Sequence, residues 1–67
     1  MKFNLKYKGM EEEMELPSDD YTISDLLKDM ELSSQSLVCK QNNELVIEET
    51  IINDGDEINL IQIIYGG

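Results

Sequence analysis

Few groups in this sequence could do chemistry, and the first lies in its closing residues, "LIQIIYGG". Leu60–Ile64 reads as a buried strand, and Gly66 and Gly67 follow it after Tyr65. Glycine packs no side chain and loses conformational entropy whenever it is fixed. A diglycine leaving directly from a strand is therefore a thin, flexible rod with one α-carboxylate, that of Gly67, at its tip. Such a rod can thread a narrow cleft in another protein. A carboxylate is a poor electrophile until one oxygen becomes a good leaving group, and adenylation by ATP supplies that. The sequence reads as already ending at the glycines, so the carboxylate needs no proteolysis to expose it. A frayed terminus is the plain alternative.

The second group is Cys39. Its only basic neighbour is Lys40, and strand alternation points it inward with Leu37. A free cysteine in that setting behaves as a small buried hydrophobe. As the only cysteine it forms no intramolecular disulfide, which fits a reducing, cytoplasmic setting. The absence of histidine excludes the usual nucleophilic triads and histidine-based zinc sites. No glycine-rich phosphate loop precedes a helix. The run Glu11-Glu12-Glu13 reads as a solvated edge that deters strand-to-strand aggregation, in preference to a cation site. Asp54-Gly55-Asp56 reads as a turn, because its surroundings lack the ligand spacing of a calcium loop. No catalytic residue, metal ligand or resident cofactor is assigned.

Fifteen acids stand against five lysines, for a net charge of −10. This argues against nucleic acid, whose binding rests on cationic neutralisation of phosphates, and against an anionic membrane surface. It favours a partner with a basic docking surface. No apolar run reaches transmembrane length, and the polar start Met1–Asn4 has no signal-peptide character. The 67 residues allow one domain, 1–67. A domain this small buries about 60% of its unfolded surface, which leaves little room for an enclosed catalytic cleft.

These groups need a scaffold. "KFNLKY" alternates, with Phe3, Leu5 and Tyr7 on one face and Lys2, Asn4 and Lys6 on the other. After a Lys8-Gly9 turn, "MEEEMEL" reads as an antiparallel second strand, ended by Pro17. In "TISDLLKDM", Ile23, Leu26, Leu27 and Met30 form one helical stripe. Thr22 is the expected N-cap, and Asp25 stands where a capping box places its acid. Leu32–Ser36 is a polar connection. "LVCK" is a third strand, Gln41-Asn42-Asn43 a turn, "ELVI" a short strand, and "EINLIQII" the most strand-like segment. A long apolar last strand belongs beside the first, with the helix across one face. The expected architecture is α+β, with Phe3, Leu5, Leu37, Ile58 and Leu60 facing the helical stripe.

The stretch "DGDEINLIQIIYGG" resembles the C-terminal signature of the ubiquitin-like sulfur carriers of the ThiS and MoaD type, and is closest in appearance to ThiS. The likeness runs along the whole chain in element order and concentrates in these last residues. It implies a β-grasp (ubiquitin-like) fold, a mixed sheet of four to five strands covered by one main helix. It implies that an E1-like enzyme adenylates the C-terminal glycine with MgATP. A persulfide on a sulfur-donor protein then leaves a thiocarboxylate on Gly67, and the sulfur passes to a downstream acceptor synthase. By that likeness the chain is a carrier and co-substrate, not an enzyme. Its sulfur would serve thiamine thiazole synthesis or tRNA thiolation. Conjugation to lysines through Gly67, a role as the small subunit of molybdopterin synthase, and a non-covalent interaction domain are the alternatives.

Strand parity adds a docking surface. If Ile58 and Leu60 point inward, Asn59, Ile61 and Ile63 point to the sheet's other side, as does Val38 on the neighbouring strand. No second helix is available to cover them. Val38, Ile61 and Ile63 are the expected docking residues for the E1-like partner, with acidic residues meeting a basic rim around them.

Overall fold

The computed structural model describes residues 1–63. Two hairpins and a final strand build the sheet: β1 (Lys2–Tyr7), β2 (Met10–Glu15), β3 (Leu37–Gln41), β4 (Glu44–Val46) and β5 (Glu57–Gln62). Helix α1 (Ile23–Asp29) lies between the second and third strands in sequence, and a 3-10 turn (Ser34–Ser36) precedes β3. The five strands lie in the order β2-β1-β5-β3-β4, with β5 parallel to β1 and antiparallel to β3. This is the mixed, helix-covered sheet of a β-grasp fold, with β5 central. Among the described residues no helix is long and apolar enough to cross a membrane.

Turn chemistry sets both hairpin registers. Lys8 and Gly9 have φ of 51° and 75°, and Asn42 and Asn43 have 53° and 71°. Two consecutive positive φ values make the I′ turn, whose twist matches that of the flanking strands. The helix starts as expected. The Thr22 side chain accepts from the Asp25 N–H, and the Asp25 carboxylate accepts from the Thr22 N–H. It stops one residue earlier than the apolar stripe, so Met30 is the half-buried C-cap. Glu31 then adopts φ 58°, and the N–H groups of Glu31 and Leu32 donate to the carbonyls of Lys28 and Leu27. This is a Schellman stop built on a glutamate where glycine is usual, with Leu32 packed on the core.

The core is one cluster. Phe3, Leu5, Leu37, Ile58 and Leu60 are buried from the sheet, and Ile23, Leu26 and Leu27 from the helix. Leu16, Tyr21 and Ile52 close it from the loops. The Tyr21 hydroxyl donates to Asp29 at the last helical turn. Burial, then that hydrogen bond and the Asp29 charge, push the phenol well above its usual range.

The turn before β5 fixes where that strand lies. Gly55, at φ 83°, donates its N–H to the Lys2 carbonyl, and Lys2 N–H donates to Asp54. The Asp56 carboxylate accepts from Asn53 N–H, Asn42 Nδ2 and Gln41 Nε2, while Asn4 N–H donates to its backbone carbonyl. One side chain thus ties the β3–β4 turn to the start of β5. Burial alone would raise the Asp56 pKa, but the hydrogen bonds from Asn42, Asn53 and Gln41 outweigh it and hold the carboxyl below its ordinary value.

Candidate functional site: the outer sheet face beside the root of the tail

Because β5 runs parallel to β1, it ends beside the β1–β2 hairpin tip, with Tyr7 opposite Leu60. On its other side it ends beside the start of β3, with Leu37 opposite Gln62 and Val38 opposite Ile61. Ile63 N–H donates to the Ser36 carbonyl at 2.9 Å, which carries the anchorage one residue past the strand. Of the strand expected from Leu60 to Ile64, the described part is strand to Gln62 and is buried on one side only, and Ile64 lies outside the described residues. Ile58 and Leu60 are fully buried, whereas Ile61 and Ile63 are 40% and 37% exposed. Tyr65, Gly66 and Gly67, the expected tail and its reactive end, lie outside the described residues.

Val38 and Ile61, two of the three expected docking residues, fall on the face the alternation requires, and Ile63, one residue past β5, is exposed. Val38 and Ile61 are a directly opposed cross-strand pair on the outer face, Val38 half-buried and Ile61 exposed. Ile63 follows Ile61 by two residues. Sequence reasoning missed Leu45. It pairs with Lys40, so it shares the outer face, and it is 70% exposed. The signal was present in "ELVI", where alternation alone sends Leu45 out once Val46 packs inward against the core. Ile47, just beyond β4, is also exposed. Exposed apolar residues thus stand both at the end of β5 and at the sheet edge at β4, with Lys40 between Leu45 and β5.

The carboxylates are unevenly spread, with Glu44 and Glu49 exposed beside Leu45 and Ile47 at the β4 edge. On β5, β3 and β4 the outer-face residues are Glu57, Asn59, Ile61, Val38, Lys40 and Leu45. Glu57 is the one carboxylate, and Lys6 holds it at 2.6 Å. The Glu57 hydrogen bond and charge, with the Glu11 charge behind them, raise the Lys6 pKa. The other sheet-borne outer carboxylates, Glu11, Glu13 and Glu15, stand on β2 at the far edge.

Cys39 lies on the opposite face. It is buried, opposite Leu60 and Val46. Burial, and then the Glu48 charge, raise its thiol pKa, which suppresses the thiolate. Cys39→Ala is accordingly expected to keep any sulfur-accepting activity and to lose about 1 kcal/mol of stability, the usual scale of a point substitution. A folded Cys39→Ser protein that no longer accepts sulfur, read by intact mass after incubation with the partner enzymes, would overturn the structural assignment.

Three comparisons bear on this arrangement. The model described as the ThiS family matches residues 1–67. No curated protein matches the chain. Among solved structures, the thiamine biosynthesis protein ThiS from Geobacter metallireducens superposes with a TM-score of 0.66 at 19% identity, covering 96% of this chain and 99% of that one. SAMP1 from Haloferax volcanii superposes with a TM-score of 0.66 at 18% identity, covering 98% and 97%. At these identities the superpositions speak for the fold, while the family rests on the whole-chain match.

Proposed function

We propose that this chain, which belongs to the ThiS family, carries sulfur as a thiocarboxylate on Gly67 and acts as the co-substrate of an E1-like adenylating enzyme. The single observation that carries the reading is the whole-chain match to the ThiS family of a sequence that contains the Gly66-Gly67 pair. The fold supports it. The locked end of β5 sets an apolar face beside the point where the tail begins, so one surface can hold the protein while the tail reaches elsewhere.

In this reading the Gly67 carboxylate attacks the α-phosphate of MgATP in the partner's site. An acyl-adenylate forms and pyrophosphate leaves. The terminal sulfur of a donor persulfide attacks the acyl carbon, and AMP departs with the bonding electrons. A second thiol, on the donor or the enzyme, then attacks the acyl disulfide. One disulfide forms on the protein side and the thiocarboxylate remains on Gly67. Transfer to an acceptor, with thiamine thiazole the leading destination, breaks the acyl carbon–sulfur bond, and an oxygen from the acceptor or from water takes the sulfur's place and regenerates the carboxylate. This chain contributes the carboxylate, the slender diglycine and the docking face. MgATP belongs to the partner.

Docking is assigned to Val38, Ile61 and Ile63, extended by Leu45. Contiguous exposed apolar surface marks interaction sites, and central apolar anchors cost about 2 kcal/mol or more when removed. Ile61→Asp is therefore expected to weaken binding to the E1-like enzyme by roughly 30-fold or more. Its melting transition should stay close to wild type, because Ile61 is already part-exposed to water. Calorimetry with the purified enzyme and a thermal melt test the two halves separately. Wild-type affinity in the folded variant would contradict the docking face.

A further inference from the structure

We propose that the docking partner presents carboxylates around its apolar contact, and that Lys8 and Lys40 read them. The proposal rests on the docking face assigned above, and it reverses the partner chemistry that the net charge of −10 alone implies. Charge is unevenly laid out over the sheet. Glu11, Glu13 and Glu15 follow one another along the outer face of β2, two strands away from β5. The half of the face formed by β5, β3 and β4 carries Val38, Ile61 and Leu45 with Lys40 among them, and its one carboxylate, Glu57, is neutralised by Lys6.

Lys40 stands in the row next to the Val38–Ile61 pair, opposite Asn59 on one side and Leu45 on the other. Lys8 approaches from the hairpin tip. It lines one depression with Lys6, Glu11 and Asn59, and its ammonium lies 5.4 Å from the Tyr7 ring centroid. Among the described residues neither Lys8 nor Lys40 forms an ion pair. Lys40 therefore borders the apolar pair directly, and Lys8 stands at the hairpin tip beside which β5 ends. Opposite charge around an apolar contact fixes register and speeds encounter, while like charge rejects wrong partners. A partner with a basic rim would meet these lysines directly. One with an acidic rim is attracted locally and held off from the β2 edge, which orients its approach.

The test is the sign of the rate change. Association of the full chain with the source organism's E1-like adenylating enzyme is measured by stopped flow for wild type, Lys8→Glu, Lys40→Glu and Glu15→Lys, each first shown by circular dichroism to be folded. The proposal expects each lysine reversal to slow association by about five-fold or more at low salt, with the difference shrinking as salt rises. Glu15→Lys should leave the rate within about two-fold of wild type or raise it. Unchanged or faster association in both lysine variants would overturn the proposal while wild-type ATP–pyrophosphate exchange still upheld the carrier reading. If wild type neither binds nor supports exchange with any such enzyme, the carrier reading falls and takes this proposal with it. Sedimentation with phosphatidylserine vesicles should show no binding. Vesicle binding that Lys40→Glu abolishes would replace the protein partner with a membrane surface and overturn the proposal.

Discussion

Deleting Gly67 is expected to abolish ATP–pyrophosphate exchange and thiocarboxylate formation while leaving affinity for the E1-like enzyme within a few-fold of wild type. The two effects separate because the docking residues and the reacting group stand on different parts of the chain. Val38, Ile61 and Leu45 belong to the sheet, where hydrogen-bonded registers hold them. The carboxylate is at the tip of the tail. Removing one residue withdraws it by about 3.5 Å, whereas reacting atoms must come within about 3–3.5 Å of each other and a misplacement of 1 Å can cost about 100-fold. The truncated chain therefore docks and does not react. Exchange at the wild-type rate in the deletion variant would show that the Gly67 carboxylate is not the group activated.

The second large effect is on folding. Leu26→Asp is expected to unfold the domain, read as loss of the cooperative thermal transition and of the far-ultraviolet spectrum. Leu26 is 1% exposed, in the middle of a seven-residue helix that packs on the sheet. So short a helix has little stability of its own and depends on that packing. Replacing the leucine forfeits about 2–5 kcal/mol of transfer and cavity energy, and an unpaired buried carboxylate adds its own desolvation cost. Stability of about 0.05–0.15 kcal/mol per residue leaves a domain of this size with only a few kcal/mol to lose. An unchanged melt would mean that the stripe Ile23, Leu26 and Leu27 is not the core the structure shows.

The parts of this fold that follow local rules were legible in the sequence. Period-two alternation found the inward sets on β1, β3 and β5, and the Thr22–Asp25 spacing found the helix start. The missed parts are those where tertiary contacts override local preference. Nothing in the sequence marks Glu31 as a left-handed helix stop, because glycine is the usual residue there. Tyr21 and Ile52 stand in loops without periodicity, and only the closed structure shows that they seal the core. The proposed docking face is half legible. Parity placed Val38, Ile61 and Ile63, but Leu45 and the lysine border needed the β3–β4 and β1–β5 registers. Net charge averages over the molecule, whereas a partner meets one face, so the two readings of the partner's charge are for experiment to separate. The Asp54-Gly55-Asp56 motif reads as a turn; the structure adds that the Asp54 carboxylate and the Asp56 backbone carbonyl hold β1, while the Asp56 carboxylate holds the β3–β4 turn.

The central claim, that Gly67 carries sulfur, is tested most directly by intact-mass spectrometry of the protein purified from its source with an unmodified C-terminus. The account predicts a fraction heavier than the sequence mass by the difference between one sulfur and one oxygen atom. Fragmentation should place that difference on Gly67, and alkylation of the thiocarboxylate should shift it further. A protein found only at its sequence mass from cells actively making thiamine, or found only as higher-mass adducts joined through Gly67 to lysines of other proteins, would contradict it.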